Sequence, residues 1–330
     1  MNSKNNPTLK SSKIRVGLTI GDPAGIGPSI TLKALNLLKS KADFTVIGDR
    51  FVLAKAAKIL KISPLCAKLI DLNNVSKKKF CFGSLNAANG KACLEYLDCA
   101  LELLKKNQID CLVTCPISKE AINLAGYKFP GHTEYLGKRT GREDLVMMLI
   151  NDKLKFSLAT RHVRLNEVTR VLTREVLKSN ILNTVKGLQK LFLIKKPRVV
   201  ICGVNPHASD NGVIGTEELD IITPVIESLS KRSGDFFINK VLGADVAIAQ
   251  AAKGKFDCVI ATYHDQALIA LKLTDFDSGV NLTLGLPFVR TSPLHGVAFD
   301  IANKPALANP SSLIAAIKLA IKCTLNQKKL

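Results

Sequence analysis

The sequence predicts an α/β protein with room for two domains. Short runs rich in β-branched residues alternate with longer runs whose apolar residues recur at helical spacing. The 330 residues suffice for two domains of ordinary size. An apolar content of 47% supplies a large core and excludes wholesale disorder.

The elements follow in chain order. Ile14–Ile20 reads as a strand, followed by a glycine-rich loop, Gly21–Gly27. Pro28 then stands where a first helical turn tolerates proline, and Ile30, Ala34, Leu37 and Leu38 mark the buried stripe of the helix. Phe44–Ile47 is a second strand, Phe51–Leu60 a second helix and Ala87–Lys106 a long amphipathic helix. Cys111–Thr114 is a strand that ends in the loop CPISK. The scheme repeats with strands at Leu145–Ile150 and Phe156–Thr160, a mainly helical stretch over Glu167–Leu193, and a strand at Arg198–Cys202. A helix at Thr223–Ser230, strands at Asp257–Thr262 and Asn281–Leu284, and a final helix at Ser311–Cys323 complete the reading. Composition marks no domain boundary, and neither a repeat nor a low-complexity linker interrupts the chain.

Composition restricts the function classes. No apolar run reaches the roughly 18–20 residues that span a bilayer. The N-terminal MNSKNNPTLKSSK is basic and polar with no apolar segment behind it, so a cytoplasmic protein is expected. Nine cysteines, an odd number without a CxxC pair, sit mostly in apolar stretches and read as small buried hydrophobes rather than a disulfide framework. The net charge of +20 admits nucleic-acid binding through phosphate neutralisation. The lysines are scattered, however, tryptophan is absent and aromatics make up 5%, so base-stacking platforms are scarce. A lysine-rich proteome together with an anionic small-molecule substrate accounts for the same charge.

In an open α/β sheet, ligands bind beyond the carboxyl ends of the strands. Three of the five histidines fall there: His162 in ATRHV, His207 in GVNPHAS and His264 in ATYHDQ. Three imidazoles suit a divalent transition metal and leave coordination positions open. Each could equally bond a loop, since the spacing matches no short metal motif. GDPAGIGPS (Gly21–Ser29) allows close backbone approach and places a helix N-terminus, which favours anions, but it is neither GxGxxG nor a P-loop. GHTEYLGKRTG gathers polar groups around His132 and Thr133, where Thr133 could also serve as a helix cap. Lys272, Asn281 and Arg290 follow His264 and suit a phosphate and a carboxylate on one small molecule; Arg290 lies in an apolar segment bounded by Gly and Pro.

Taken together, GDPAGIGPS, CPISKEAINLAG, FPGHTEYL, NPHAS…GTEE, YHDQALIALK and NLTLGLPFVRTSPLHGVAFDIA resemble the 4-hydroxythreonine-4-phosphate dehydrogenase (PdxA) family, in family order from about Ile14 to Ser312. The resemblance implies a two-domain α/β/α fold of the isocitrate/isopropylmalate-dehydrogenase kind, with the active site in the interdomain cleft. Residues 1–128 plus 293–330 would form one domain and 129–292 the other. It implies a homodimer with shared active sites, in which His264 matches the metal ligand supplied by the partner chain. His162, His207 and His264 match the family's metal ligands, and His132, Thr133, Lys272, Asn281 and Arg290 its substrate-binding residues. Three departures stand out: Ser29 where the family usually has Glu, Ser209-Asp210 for Gly-Glu, and Val297 where HGTA is usual.

The implied reaction is oxidation of 4-phosphooxy-L-threonine with NAD (or NADP), followed by decarboxylation to 3-amino-2-oxopropyl phosphate, a step of pyridoxal phosphate biosynthesis. One divalent ion, zinc, magnesium, cobalt or manganese, would be needed. Asp265, beside His264, is the candidate for proton transfer or for orienting a ligand, with Asp245 its competitor. Rival enzymes are a dehydrogenase of threonate or erythronate 4-phosphate and a phosphate acyltransferase; the rival outside enzymes is the nucleic-acid binder.

Overall fold

The computed structural model describes residues 13–65, 67–230 and 234–330; the basic N-terminal stretch, residues 1–12, lies outside the described residues. The strands are β1 (Arg15–Thr19), β2 (Asp43–Gly48), β3 (Lys68–Asp71), β4 (Cys111–Thr114), β5 (Val146–Ile150), β6 (Lys155–Leu158), β7 (Arg198–Ile201), β8 (Phe237–Ile238), β9 (Cys258–Ala261), β10 (Val280–Leu284) and β11 (Val289–Pro293). The α-helices are α1 (Gly27–Leu38), α2 (Arg50–Leu60), α3 (Ala87–Lys105), α4 (Lys119–Leu124), α5 (His132–Thr140), α6 (Val168–Val171), α7 (Arg174–Phe192), α8 (Thr223–Ser230), α9 (Ala244–Ala252), α10 (His264–Thr274) and α11 (Ser311–Gln327).

Among the described residues the strands form one sheet in the order β3-β2-β1-β4-β11-β10-β5-β6-β9-β7-β8. The block from β3 to β11 is parallel, as is the block from β6 to β8. Between them, β11–β10, β10–β5 and β5–β6 are antiparallel. Three reversals make the two parallel blocks run in opposite directions. Strands of a parallel block are buried on both faces and read as continuous apolar runs; β4 and β9 are buried at every position.

The second block is a sandwich. One face of β5, β6, β7 and β9 (Leu149, Phe156, Val200, Val259) packs under Ala247, Ala251, Ala267 and Leu271 of α9 and α10. The other (Met148, Ile201, Ile260) joins the main core with Leu177, Ile181 and Leu188 of α7. In the first block, the Thr291 hydroxyl of β11 donates to the Ala316 carbonyl of α11, which fixes that helix on the face turned away from Arg290 and Ser292.

The differences from the sequence reading are local. No residue of β3 is fully buried, and no apolar alternation reveals it. The helical stretch expected over Glu167–Leu193 breaks after Leu172, because the Thr173 side chain caps a new helix by accepting from Val176 N at 3.2 Å. No helix among the described residues is long and apolar enough to cross a membrane.

Candidate functional site

The antiparallel middle of the sheet forms the floor of a cavity of about 660 Å³. Met147 and Leu149 of β5, Asn281 of β10, and Arg290 and Ser292 of β11 line it. The register explains why these five share a face: Asn281 stands opposite both Leu149 and Ser292, and Thr283 opposite both Met147 and Arg290. The walls come from both parallel blocks. Lys119 follows β4, and Leu294 to Gly296 follow β11, whereas His162 follows β6 and His264 follows β9.

Arg290 is the largest fully buried side chain among the described residues, 1% exposed. Its Nη1 donates to Thr283 Oγ1 at 3.0 Å and its Nη2 to Thr114 Oγ1 at 2.6 Å, while Nε has no partner. Hydroxyls orient a guanidinium without neutralising it. No carboxylate among the described residues forms an ion pair with it, and burial lowers its pKa to about 9. Glu134, across the same cavity, opposes that shift only in part. A buried positive charge with no ion-pair partner and an open donor is a receptor for an anion.

His132 opens α5, with Gly131 as the capping residue. Thr133 therefore lies inside the helix, buried, and makes no capping bond. Burial, reinforced by Arg290, holds the His132 imidazole well below its ordinary pKa, and its Nε2 is buried without a partner. His162 is also held low, by desolvation first and then by Lys119 and His264. The neutral imidazole that results is the form that can donate a lone pair to a metal.

The rings of His162 and His264 stand 5.7 Å apart, centroid to centroid, tilted by 45°. His264 Nδ1 donates to Asp265 Oδ1 at 2.7 Å, which leaves Nε2 as the lone-pair nitrogen. Asp265 thus orients a candidate ligand in this structure. Lys272 and Asn281 line the same cavity, Lys272 with its ammonium 5.6 Å from the Phe276 ring.

His207 and Asp245 are not among the lining residues. They neighbour each other instead: a Cβ built on Gly243 would meet Asp245 Oδ1 at 2.9 Å and His207 Cα at 3.6 Å. Among the described residues of one chain, no three His, Cys, Asp or Glu side chains gather in a way that could hold a metal. His207 also opens an unusual backbone: residues 207–212 all have positive φ, from +44° at Asp210 to +95° at Gly212. A left-handed turn of residues with side chains is held only where its surroundings enforce it. Here Glu218, fully buried, accepts from both the backbone N (2.8 Å) and Nδ2 (2.9 Å) of Asn205, the residue that caps the turn.

Several lining residues escaped the sequence reading. Lys119 lies just past a strand end, so the rule that picked out three histidines would also have found it. Glu134, in the same helical turn as His132, pairs with Arg161 at 3.8 Å. His295 donates Nδ1–H to the Gly296 carbonyl at 3.0 Å and keeps Nε2 buried without a partner. Ser29, singled out in the sequence, is not among the lining residues; it is buried in α1 and its hydroxyl has no partner.

Comparison with known proteins agrees with this architecture. The family model described as pyridoxal phosphate biosynthetic protein PdxA matches residues 40–320. A 4-hydroxythreonine-4-phosphate dehydrogenase of Sulfurihydrogenibium sp. (strain YO3AOP1) is 40% identical over 319 residues, covering 93% of this chain and 98% of that protein. A protein of Halalkalibacterium halodurans, provisionally named D-threonate 4-phosphate dehydrogenase, is 38% identical over 326 residues, covering 93% and 96%. The crystal structure of 4-hydroxythreonine-4-phosphate dehydrogenase from Klebsiella pneumoniae superposes with a TM-score of 0.84 at 32% identity, covering 95% of this chain and 100% of that one. With most of its length matched by the family model and by relatives of this similarity, the chain belongs to the PdxA family of pyridoxal phosphate biosynthetic proteins.

Proposed function

We propose that the chain is a metal-dependent, NAD-using dehydrogenase that oxidises 4-phosphooxy-L-threonine and releases carbon dioxide to give 3-amino-2-oxopropyl phosphate. The observation that carries the reading is the buried Arg290 guanidinium, without an ion-pair partner, in the cavity that His162 and His264 also line. A substrate bearing a phosphate and a carboxylate supplies the missing anions, and Lys272, Asn281 and His132 stand around the same space to share them. Thr114 and Thr283 hold the guanidinium in place, and Met147 and Leu149 give the floor an apolar side.

His162, His207 and His264 would hold the divalent ion, with two copies of the chain completing the set. When bound, the ion lowers the pKa of a substrate hydroxyl and stabilises negative charge on the oxygen left by decarboxylation; NAD accepts the hydride. Asp265 holds His264 with Nε2 free, and Asp245 is the alternative for moving a proton. The domain division, 1–128 plus 293–330 against 129–292, belongs to the same proposal and puts the β11–β4 pairing at its seam.

A second reading, oxidation of threonate or erythronate 4-phosphate, is favoured by the D-threonate relative. The purified chain, assayed for NADH formation with each acid in the presence of added Mn²⁺, Zn²⁺, Co²⁺ or Mg²⁺, decides between them. Turnover should be fastest with 4-phosphooxy-L-threonine and should vanish with chelator. Faster turnover of a sugar acid would transfer the assignment, and full activity in chelator would remove the metal.

A further inference from the structure

Among the described residues, the cavity is lined by three cations, Lys119, Lys272 and Arg290, which suit a phosphate and a carboxylate. It is also lined by two carboxylates, Asp265 and Glu134, which repel those same groups. Asp265 is engaged, accepting from His264 Nδ1 at 2.7 Å. Glu134 is not. It is the third residue of α5, where a glutamate commonly bonds back to the N–H of the capping residue. Among the described residues its carboxylate accepts no hydrogen bond, from Gly131 or from any other group. Its ion-pair contact, Arg161 Nη1, stands at 3.8 Å, beyond hydrogen-bonding distance, and that nitrogen has no hydrogen-bond partner. The Glu134 side chain is 27% exposed. Its charge opposes the effect of burial on Arg290 and on His162, so the carboxylate is within electrostatic reach of both.

We propose that Glu134 is a specificity-determining residue of this site, one that accepts the ammonium group of the substrate and so separates an amino acid from the corresponding hydroxy acid. The inference rests on the phosphorylated amino-acid reading above. A pocket for a phosphate and a carboxylate alone gains nothing from a further negative charge, whereas a substrate that also carries an ammonium group does. 4-Phosphooxy-L-threonine bears that ammonium at the carbon where threonate and erythronate 4-phosphate bear a hydroxyl. An ammonium makes a charge-assisted hydrogen bond to a carboxylate, while a hydroxyl finds its acceptor in a carboxamide as well. The first turn of a helix also favours an acidic residue for its own sake, a role that shows in stability and not in the choice of substrate.

The test uses the full chain and two substitutions, Glu134→Gln and Arg161→Met. The second breaks the same ion pair from outside the cavity, since Arg161 is not among the lining residues. Binding of 4-phosphooxy-L-threonine, threonate 4-phosphate and erythronate 4-phosphate is measured by titration calorimetry with Mn²⁺ and without NAD, so that no turnover intervenes. Turnover of the three acids is then measured with NAD added. Glu134→Gln should bind the amino acid about 10–100-fold more weakly. It should keep wild-type affinity for the better-bound hydroxy acid, which also reports that the site is still folded. Arg161→Met should keep the wild-type ratio of affinities between the two kinds of acid. An equal loss for both kinds in Glu134→Gln, no loss for either, or the same selective loss in Arg161→Met overturns the role of Glu134 alone. A wild-type chain that oxidises a hydroxy acid faster than the amino acid overturns the substrate reading and this inference with it.

Discussion

Asp22 offers a test of how strongly this fold opposes a buried charge. It lies in the turn after β1, fully buried, with Oδ1 accepting from Ala24 N at 3.0 Å and Oδ2 unpartnered. Burial pushes its carboxyl from 3.8 up to about 6, opposed in part by the Ala24 N–H. The native state therefore holds the proton more tightly than the unfolded chain. The stability this contributes is fully present below about pH 4 and is lost as pH rises through about 6. The rise corresponds to roughly 3 kcal/mol, a large share of a typical folding free energy.

Asp22→Asn preserves the shape and the acceptor but cannot ionise. The stability of the variant relative to wild type should climb by about 1.4 kcal/mol per pH unit between about pH 4 and 6, then level off. Urea unfolding of both proteins, followed by far-ultraviolet circular dichroism at half-unit steps from about pH 4.5 to 8, measures that difference, in which the titrations of all other groups cancel. A difference that is flat with pH would mean that Asp22 titrates alike in the folded and unfolded chain; one that falls would reverse the sign. Either result refutes the reasoning.

Two further outcomes are expected. Arg290→Met removes a buried charge while filling its volume, so the Michaelis constant for the phosphorylated substrate should rise about 100-fold with little loss of melting temperature; a large drop in melting temperature with unchanged kinetics would make the residue structural. Ala208 sits at φ +54° in the left-handed turn, so Ala208→Gly should stabilise the chain by about 1 kcal/mol in thermal unfolding, and a decrease would mean that the turn is not left-handed in solution.

Much of the arrangement was legible in the linear chain. Alternating β-branched and helical runs located β1, β2, β4 and the strands that precede the three histidines, because burial on both faces forces a continuous apolar run. The strand-end rule selected His162 and His264, which the structure sets side by side. It also selected His207, which the structure leaves outside their cavity. Periodicity is local, and it carries no record of which strand pairs with which. The three reversals between β11 and β6, the shared face of Arg290, Asn281 and Leu149, and the burial of Arg290 between two threonine hydroxyls depend on contacts between residues up to 176 positions apart. The left-handed turn at His207 was hidden for a related reason: Ala208 and Ser209 have no intrinsic preference for positive φ, and only packing against Gly203 and the clasp between Asn205 and Glu218 hold them there. Residue types therefore determined which chemistry this chain could perform, while long-range pairing, which no local pattern encodes, decided where that chemistry could be assembled.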